Sequence, residues 1–514
     1  MKKSIVLIHS LILSCFILNA KTVRVPGQYS TIQTALNSSQ PGDTILVGDG
    51  VYYENLVWPK IYGLTLKSVN GASYTTLDGS SAGAVITASV TSGKLVGNIN
   101  GFTIQNGLTH AASVNGYVAG GSGMSIVNAT ISITNCDFTT NKVFGDPLNP
   151  SYCNGAAINS DNSKLNISGC QFSENTIDST GNVYGGVIYS SSSQVTISKS
   201  GFQGNNTFAN TSVQGGVIAV TFGTCTLNNV SFTENAVSVS GEGSISGGCC
   251  YFIGSGMSQF TNVLIGDNSL SASNTVQGGG VWSTYTTSMI HCTVAGNHYS
   301  TGTGIGGNSI SINSYLNVVP KVKIINSILW NPEGSLSEAA FVGTPNISYC
   351  DIYSGITGPG NTASDPSFVS SADFHLQNNS PCLSKSSLTN NPATDLDGNA
   401  RPMPSGTKAD QGCFETNQPV KMGDENNSDA QPAVEIYPNP VHQSATISFQ
   451  LNDESKVIIM LLDLSGRKVM EMLNETLPSG AHDITINSNN LSAGDYFVQM
   501  QIGNDVYNQK ITID

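Results

Sequence analysis

The chain has 514 residues, 39% of them hydrophobic and only 11% charged. That apolar share excludes simple disorder, and a charged share below half of the roughly 25% usual in globular chains leaves Ser, Thr, Asn and Gly to solvate the surface. The balance of 20 Lys and Arg against 34 Asp and Glu gives −14, which excludes a nucleic-acid binder built on a basic patch.

Residues 1–20, MKKSIVLIHSLILSCFILNA, pair a basic start at Lys2 and Lys3 with an apolar run ending at Ala20. This is the pattern of a secretory signal peptide, too short for a membrane span. No later apolar run approaches a bilayer's thickness, so the mature chain is expected to carry no transmembrane span. Export permits disulfides among the remaining cysteines without saying which pair.

After Ser30, a good N-cap, Ile32, Ala35 and Leu36 predict a short amphipathic helix. Pro41-Gly42-Asp43 then turns into a strand at Thr44–Val47.

The middle of the chain repeats. Residues 155–175 read GAAINSDNSKLNISGCQFSEN, 185–205 read GGVIYSSSSQVTISKSGFQGN and 215–235 read GGVIAVTFGTCTLNNVSFTEN. The frame recurs in weaker form at 120–141, 247–268, 278–297 and 306–331, offset by roughly 30 residues, a solenoid or propeller period. Apolar residues two apart, such as Val195 and Ile197, mark strands with one face inward. Aligned units give four columns. The first is Ile133, Ile167, Ile197, Leu227, Phe260, Met289 and Ile324. The second is Cys136, Cys170, Ser200, Val230, Val263, Cys292 and Ser327. The third is Phe138, Phe172, Phe202, Phe232, Ile265, Val294 and Leu329. The fourth is Asn141, Asn175, Asn205, Asn235, Asn268, Asn297 and Asn331. A parallel β-helix of about ten coils accounts for them, with an Asn ladder and a rise of about 4.8 Å per coil. A propeller needs four strands per blade, and these units show two or three.

The start, with GDTI at 42–45, resembles that of right-handed β-helix proteins of the pectin-lyase-like class over residues 22–350. GGVI at 185–188 and 215–218, with Phe202, Asn205, Phe232 and Asn235, is similar to the repeats of polymorphic outer-membrane proteins, which implies an adhesin-type surface role. The fold expected is all-β: a right-handed parallel β-helix over 21–415, then a small Ig-like β-sandwich.

Cys136 and Cys170 fall in one column of neighbouring coils, where either a disulfide or two stacked free thiols fits. Residues 365–415 are similar to the closing segment of bacterial surface β-helix proteins and are read as a C-terminal cap. There Asp395, Asp397, Arg401, Asp410 and Glu415 would satisfy strand ends and one another, with Cys382 and Cys413 available as a staple. No Cys/His spacing suits a metal, so no metal and no cofactor are expected, calcium on those carboxylates being the one ion the composition admits.

Residues 416–433 are polar and read as a linker. From 434 on, strands are predicted at Thr446–Leu451, Lys456–Leu464, Gly480–Ile486, Asp495–Ile502 and Tyr507–Ile513. Tyr437-Pro438-Asn439-Pro440, then DLSGR with Gly466 and Arg467, then LSAGDY with Gly494 and Tyr496 closely resemble the C-terminal sorting domain of the type IX secretion system of Bacteroidetes. The resemblance implies secretion or display on the outer-membrane surface of such a Gram-negative bacterium, with the type IX machinery as partner and surface polysaccharide as an attachment point.

Catalysis is not legible. The class hosts lyases, hydrolases and inert adhesins, so fold cannot decide. No Arg lies between Arg24 and Arg401, and Asp137, Glu174, Glu234 and Asp267 stand apart in sequence. The elements expected of polygalacturonases and pectin esterases are absent. His291 and His298 are read as surface or turn histidines, and Tyr184, Tyr285 and Tyr299 as exposed rings able to stack on sugars. The expectation is non-catalytic adhesion or contact with a host or environmental glycan, the alternative a polysaccharide lyase or glycoside hydrolase with an atypical site; catalytic residues stay unassigned.

Overall fold

The computed structural model describes residues 20–91, 93–110, 119–146, 152–301, 304–333, 337–416, 435–451, 454–464, 466–488, 491–502 and 505–514. Residues 1–19 of the expected signal peptide and 417–433 of the expected linker lie outside them. The chain forms two compact units, residues 1–418 and 419–514.

The first unit is a right-handed parallel β-helix. Its strands are short and alternate: in Lys164–Ser168, Leu165 and Ile167 point inward while Lys164 faces water. Such a strand buries too little to stand alone, so each coil depends on the coils above and below. The register superimposes like on like. Ile133 pairs with Ile167, Ile167 with Ile197, Ile197 with Leu227, Leu227 with Phe260, Phe260 with Met289 and Met289 with Ile324. All seven are buried.

In the aromatic column, Phe138, Phe172, Phe202 and Phe232 stack with ring centroids 5.0, 4.5 and 4.9 Å apart. Burying each such ring contributes about 1.5–3 kcal/mol.

The asparagines form the expected ladder. Asn141 Nδ2 donates to Asn175 Oδ1 at 3.0 Å, and the pattern continues through Asn205, Asn235, Asn268 and Asn297 to Asn331 at 2.9–3.1 Å. Each Nδ2 also donates to a carbonyl of the preceding coil, as Asn205 does to Phe172 O. Each Oδ1 also accepts a backbone N–H, as Asn235 Oδ1 does from Asn205 N. The last donor, Asn331 Nδ2, meets the buried carboxylate of Glu338 at 3.0 Å. Burial pushes that carboxyl upward against the hydrogen bonds it accepts.

Among the described residues the coils contribute to a 20-stranded and a ten-stranded sheet that enclose the main core, and to two seven-stranded sheets. These last two enclose a smaller core of their own, including Ile177, Val183, Val213, Val237, Ile245, Leu270 and Val276. Each middle coil thus makes an excursion between its ladder Asn and the following Gly pair, and the excursions stack into a fin.

At the start of the rod the helix spans Ile32–Ser38 and buries Ile32, Ala35 and Leu36. Its N-cap is Thr31, not Ser30. The Glu54 carboxylate takes the next two free N–H groups, from Ile32 and Gln33, at 2.8 and 2.9 Å.

Residues 365–415, expected to close the far end, instead lie along the flank of the last coils. Asn229 and Asn262 side chains donate to Asp395 O and Thr394 O, and Gly412 N donates to Asn326 O. Phe374 packs with Leu264, Ala295 and Phe414. The final coil is covered by residues just after it: Ile356 packs on the core, and the Asn361 side chain bonds Cys350 N and Ile347 O.

The second unit is a small β-sandwich. One antiparallel sheet holds Glu435–Tyr437, Ser444–Leu451 and Gly480–Asn487; the other holds Lys468–Leu477, Ser455–Leu462, Gly494–Ile502 and Asp505–Ile513 in that order. Ile447, Phe449, Val457, Ile459, Val498 and Ile511 lie in its core.

Candidate functional site

The sorting-motif residues gather at one end of the sandwich. Gly494 pairs with Ile513, Tyr496 with Ile511, and Leu462, just before the DLSGR turn, with Phe497. Asn439 clamps the last strand: its Oδ1 accepts from Thr512 N at 2.9 Å and its Nδ2 donates to Lys510 O at 3.2 Å. Asp463 holds the turn by accepting from Arg467 N and Nε, both at 3.0 Å, while Gly466 takes a positive φ of 78°. Tyr496 Oη donates to Ser492 O at 2.9 Å. Tyr437 and Arg467 are exposed. Pro438 and Pro440 flank Asn439 in the same loop.

On the flank of the first unit, Arg401 is buried and donates through Nη1 to Asp410 O and Gly412 O at 3.0 and 3.3 Å, with Glu415 Oε2 at 3.4 Å. His291, expected at the surface, is fully buried against it, with Nε2 2.8 Å from Asn391 Oδ1. The reason is local: His291 occupies a left-handed corner position, φ 50°, over which the 387–412 stretch folds. Burial and the neighbouring Arg401 push its pKa down to about 3, so the ring is neutral. Burial and then Asp410 push Glu415 up to about 7 against the pull of Arg401.

The other acids of this segment serve backbone N–H groups. Asp395 accepts from Asn399 N and Glu415 N, and Asp410 from Ser384 N and Thr416 N. Asp397 turns outward to His375, which Asp373 also holds. No three His, Cys, Asp or Glu side chains converge for a metal among the described residues, so the carboxylates offered for calcium do not form one cage. Cys382 and Cys413 are free thiols, not a staple: Cys382 Sγ donates to Asp351 Oδ2 at 3.2 Å, and Cys413 lies in the cluster with Phe374 and Phe414. Cys136 and Cys170 are free and buried as well.

Among the carboxylates considered for catalysis, Glu174, Glu234 and Asp267 occupy one left-handed corner column, each directly before a ladder Asn, with φ of 55°, 57° and 54°. His298 joins this corner, with Nε2 3.3 Å from Asp267 and Nδ1 2.8 Å from Glu333. Its hydrogen bond to Glu333 raises its pKa against the opposing effect of burial, with Asp267 adding to the rise. Asp137 sits apart on a sheet face, its carboxyl raised by burial.

The tyrosines divide. Tyr285, expected at the surface, is fully buried and donates its hydroxyl to Val220 O. It is the second residue of the bend between Ser283 and Thr286, and the ring folds inward against Phe252. Tyr299 is half-buried, bonded to Asn308 O. Tyr184 is half-buried on the fin, 6.0 Å from Tyr152 and 6.2 Å from Tyr189, ring to ring. Tyr251 and Trp282, on the ten-stranded sheet, stack at 4.6 Å. Sequence reasoning passed over Tyr189, Tyr251 and Trp282 as a group; the signal was their shared offset of three or four residues after the Gly pairs.

Residues 435–514 match the family described as secretion system C-terminal sorting domain. Comparison with curated proteins finds no match. Among solved structures the chain is similar to a crystal structure of DFA-IIIase from Arthrobacter chlorophenolicus A6 without its lid. The identity is 12%, the match covers 64% of this chain and 98% of that one, and the TM-score is 0.24. A likeness at that score carries nothing about activity. The C-terminal module is a type IX sorting domain, which marks the protein for secretion or the cell surface.

Proposed function

We propose that this is a non-catalytic surface protein, carried across the inner membrane by residues 1–20 and across the outer membrane by the type IX machinery, whose rod contacts carbohydrate along its flank. The observation that carries this reading is the repetition itself. Coils in strict register present the same small polar surface many times along one axis, and a weak contact repeated on a rigid support gains strongly in avidity. The acids of the flank segment are taken up by backbone N–H groups, which suits a structural role. The sorting residues, gathered at one end of the sandwich, serve the secretion machinery and attachment to surface polysaccharide.

One observation favours a second reading, a polysaccharide-degrading enzyme. Glu234 and Asp267 take successive places in one corner column, Glu234 N donating to Asp267 O at 3.0 Å, so two carboxylates project from neighbouring coils, and a glycosidase needs such a pair. Incubating the secreted protein with a panel of neutral and acidic glycans separates the two. Retention without any new reducing or unsaturated ends is the expected result; turnover that Glu234→Gln abolishes would establish the enzyme.

A further inference from the structure

The fin meets the ten-stranded sheet at a concave corner, and we propose that this corner binds a neutral oligosaccharide. The proposal rests on the glycan-contact reading above and gives it a place and a charge class.

The corner is built by glycine. Gly215 takes φ 74° between the two sheets, and a Cβ there would come within 3.0 Å of Tyr251 Cβ. The outer faces of the sheets therefore look at each other across a narrow angle, and Tyr184 from the fin reaches the ring of Tyr189 on the ten-stranded sheet. Further along the same column Tyr251 stacks on Trp282. Tyr184 and Trp282 remain partly exposed.

Of the eleven buried side-chain polar atoms without a partner among the described residues, three belong to this corner: Trp282 Nε1, Gln214 Oε1 and Asn154 Oδ1. Asn154 and Gln214 flank Tyr184 in register, one coil to either side, and Asn154 is only 2% exposed. Buried polar groups in folded proteins are almost always bonded, so three orphans along one aromatic strip point to a missing partner. One is a donor and two are acceptors. A sugar hydroxyl supplies either role, and the C–H face of a sugar ring stacks on Tyr or Trp. None of these side chains is charged, and the chain as a whole carries −14. A uronate would find no cation here to neutralise it, so the class is neutral.

The test uses the secreted protein with cellohexaose, mannohexaose and hexagalacturonate as probes in titration calorimetry. At least one neutral hexasaccharide should bind, with an affinity that added salt leaves unchanged. Trp282→Ala and Tyr184→Ala should each weaken it about tenfold, and Phe208→Ala, on the opposite face of the fin, should not. Gln214→Glu, which keeps the side-chain size, should weaken it too and stands in if an aromatic variant fails to fold. Unchanged affinity in these variants, or preference for hexagalacturonate, overturns the corner while leaving glycan contact elsewhere on the rod. Failure of the intact protein to bind any glycan overturns both readings.

Discussion

Asn205 satisfies six hydrogen-bond relations at once. Its Nδ2 reaches Asn235 Oδ1, Phe172 O and Gln203 O, its Oδ1 accepts from Asn175 N and Nδ2, and its own N–H goes to Asn235. Asn205→Ala takes the acceptor from the buried Asn175 N–H and the amide donor from the Phe172 carbonyl, while Asn175 Nδ2 keeps only its bonds to Phe138 O and Ser173 O; a buried group left unbonded costs about 1–3 kcal/mol. A loss of at least about 2 kcal/mol in denaturant unfolding is expected, and Asn205→Asp should not restore it. His298 offers a separate check. Its pKa is raised in the folded state, so its contribution to stability is complete below about 6.5, its unfolded value, and is lost as pH rises through the folded pKa. An NMR titration should place its midpoint above 6.5, and Glu333→Gln should move that midpoint down.

At the scale of elements, strands and columns were legible because one physical requirement, like stacking on like, repeats many times. Ile167 over Ile197 over Leu227 could be aligned without coordinates, since a shift by one residue would turn every apolar side chain outward. The strand Lys468–Leu477 was not expected. Its residues KVMEMLNETL lack β-branched runs, and it is an edge strand whose pairing supplies what propensity does not. The fin was also missed, although Ile177 and Val183, or Val237 and Ile245, are the inward residues of its two sheets. Two strands of two to four residues around a variable turn leave too short an alternation to recognise singly. The columns also make a prediction about sulfur. The ten cysteines from Cys136 to Cys413 are buried, and burial pushes the thiols of Cys225, Cys292, Cys350 and Cys413 up to about 12. A thiol reagent should therefore label none of them in the folded protein and all ten after denaturation; disulfides in the secreted protein would show as missing labels.

For the whole molecule, the chemistry of residues 365–415 was visible in sequence, and their place was not. Asp395, Arg401, Asp410 and Glu415 announce a bonded cluster, but the partners that locate it, Asn229, Asn262 and His291, lie more than 100 residues upstream. Those three are successive corner residues of three coils, so the segment ties neighbouring turns together along the flank. The sorting module was legible because its three motifs come in fixed order, and the register explains why: all three meet at one end of the sandwich. The account as a whole stands on a rod made to be delivered outside the cell by that module. Its most direct test is protease shaving of intact cells producing either the full chain or a chain lacking residues 435–514. The account predicts that the full protein is degraded at the surface or found in the medium while the shortened one stays protected in the periplasm; equal exposure of the two would contradict it.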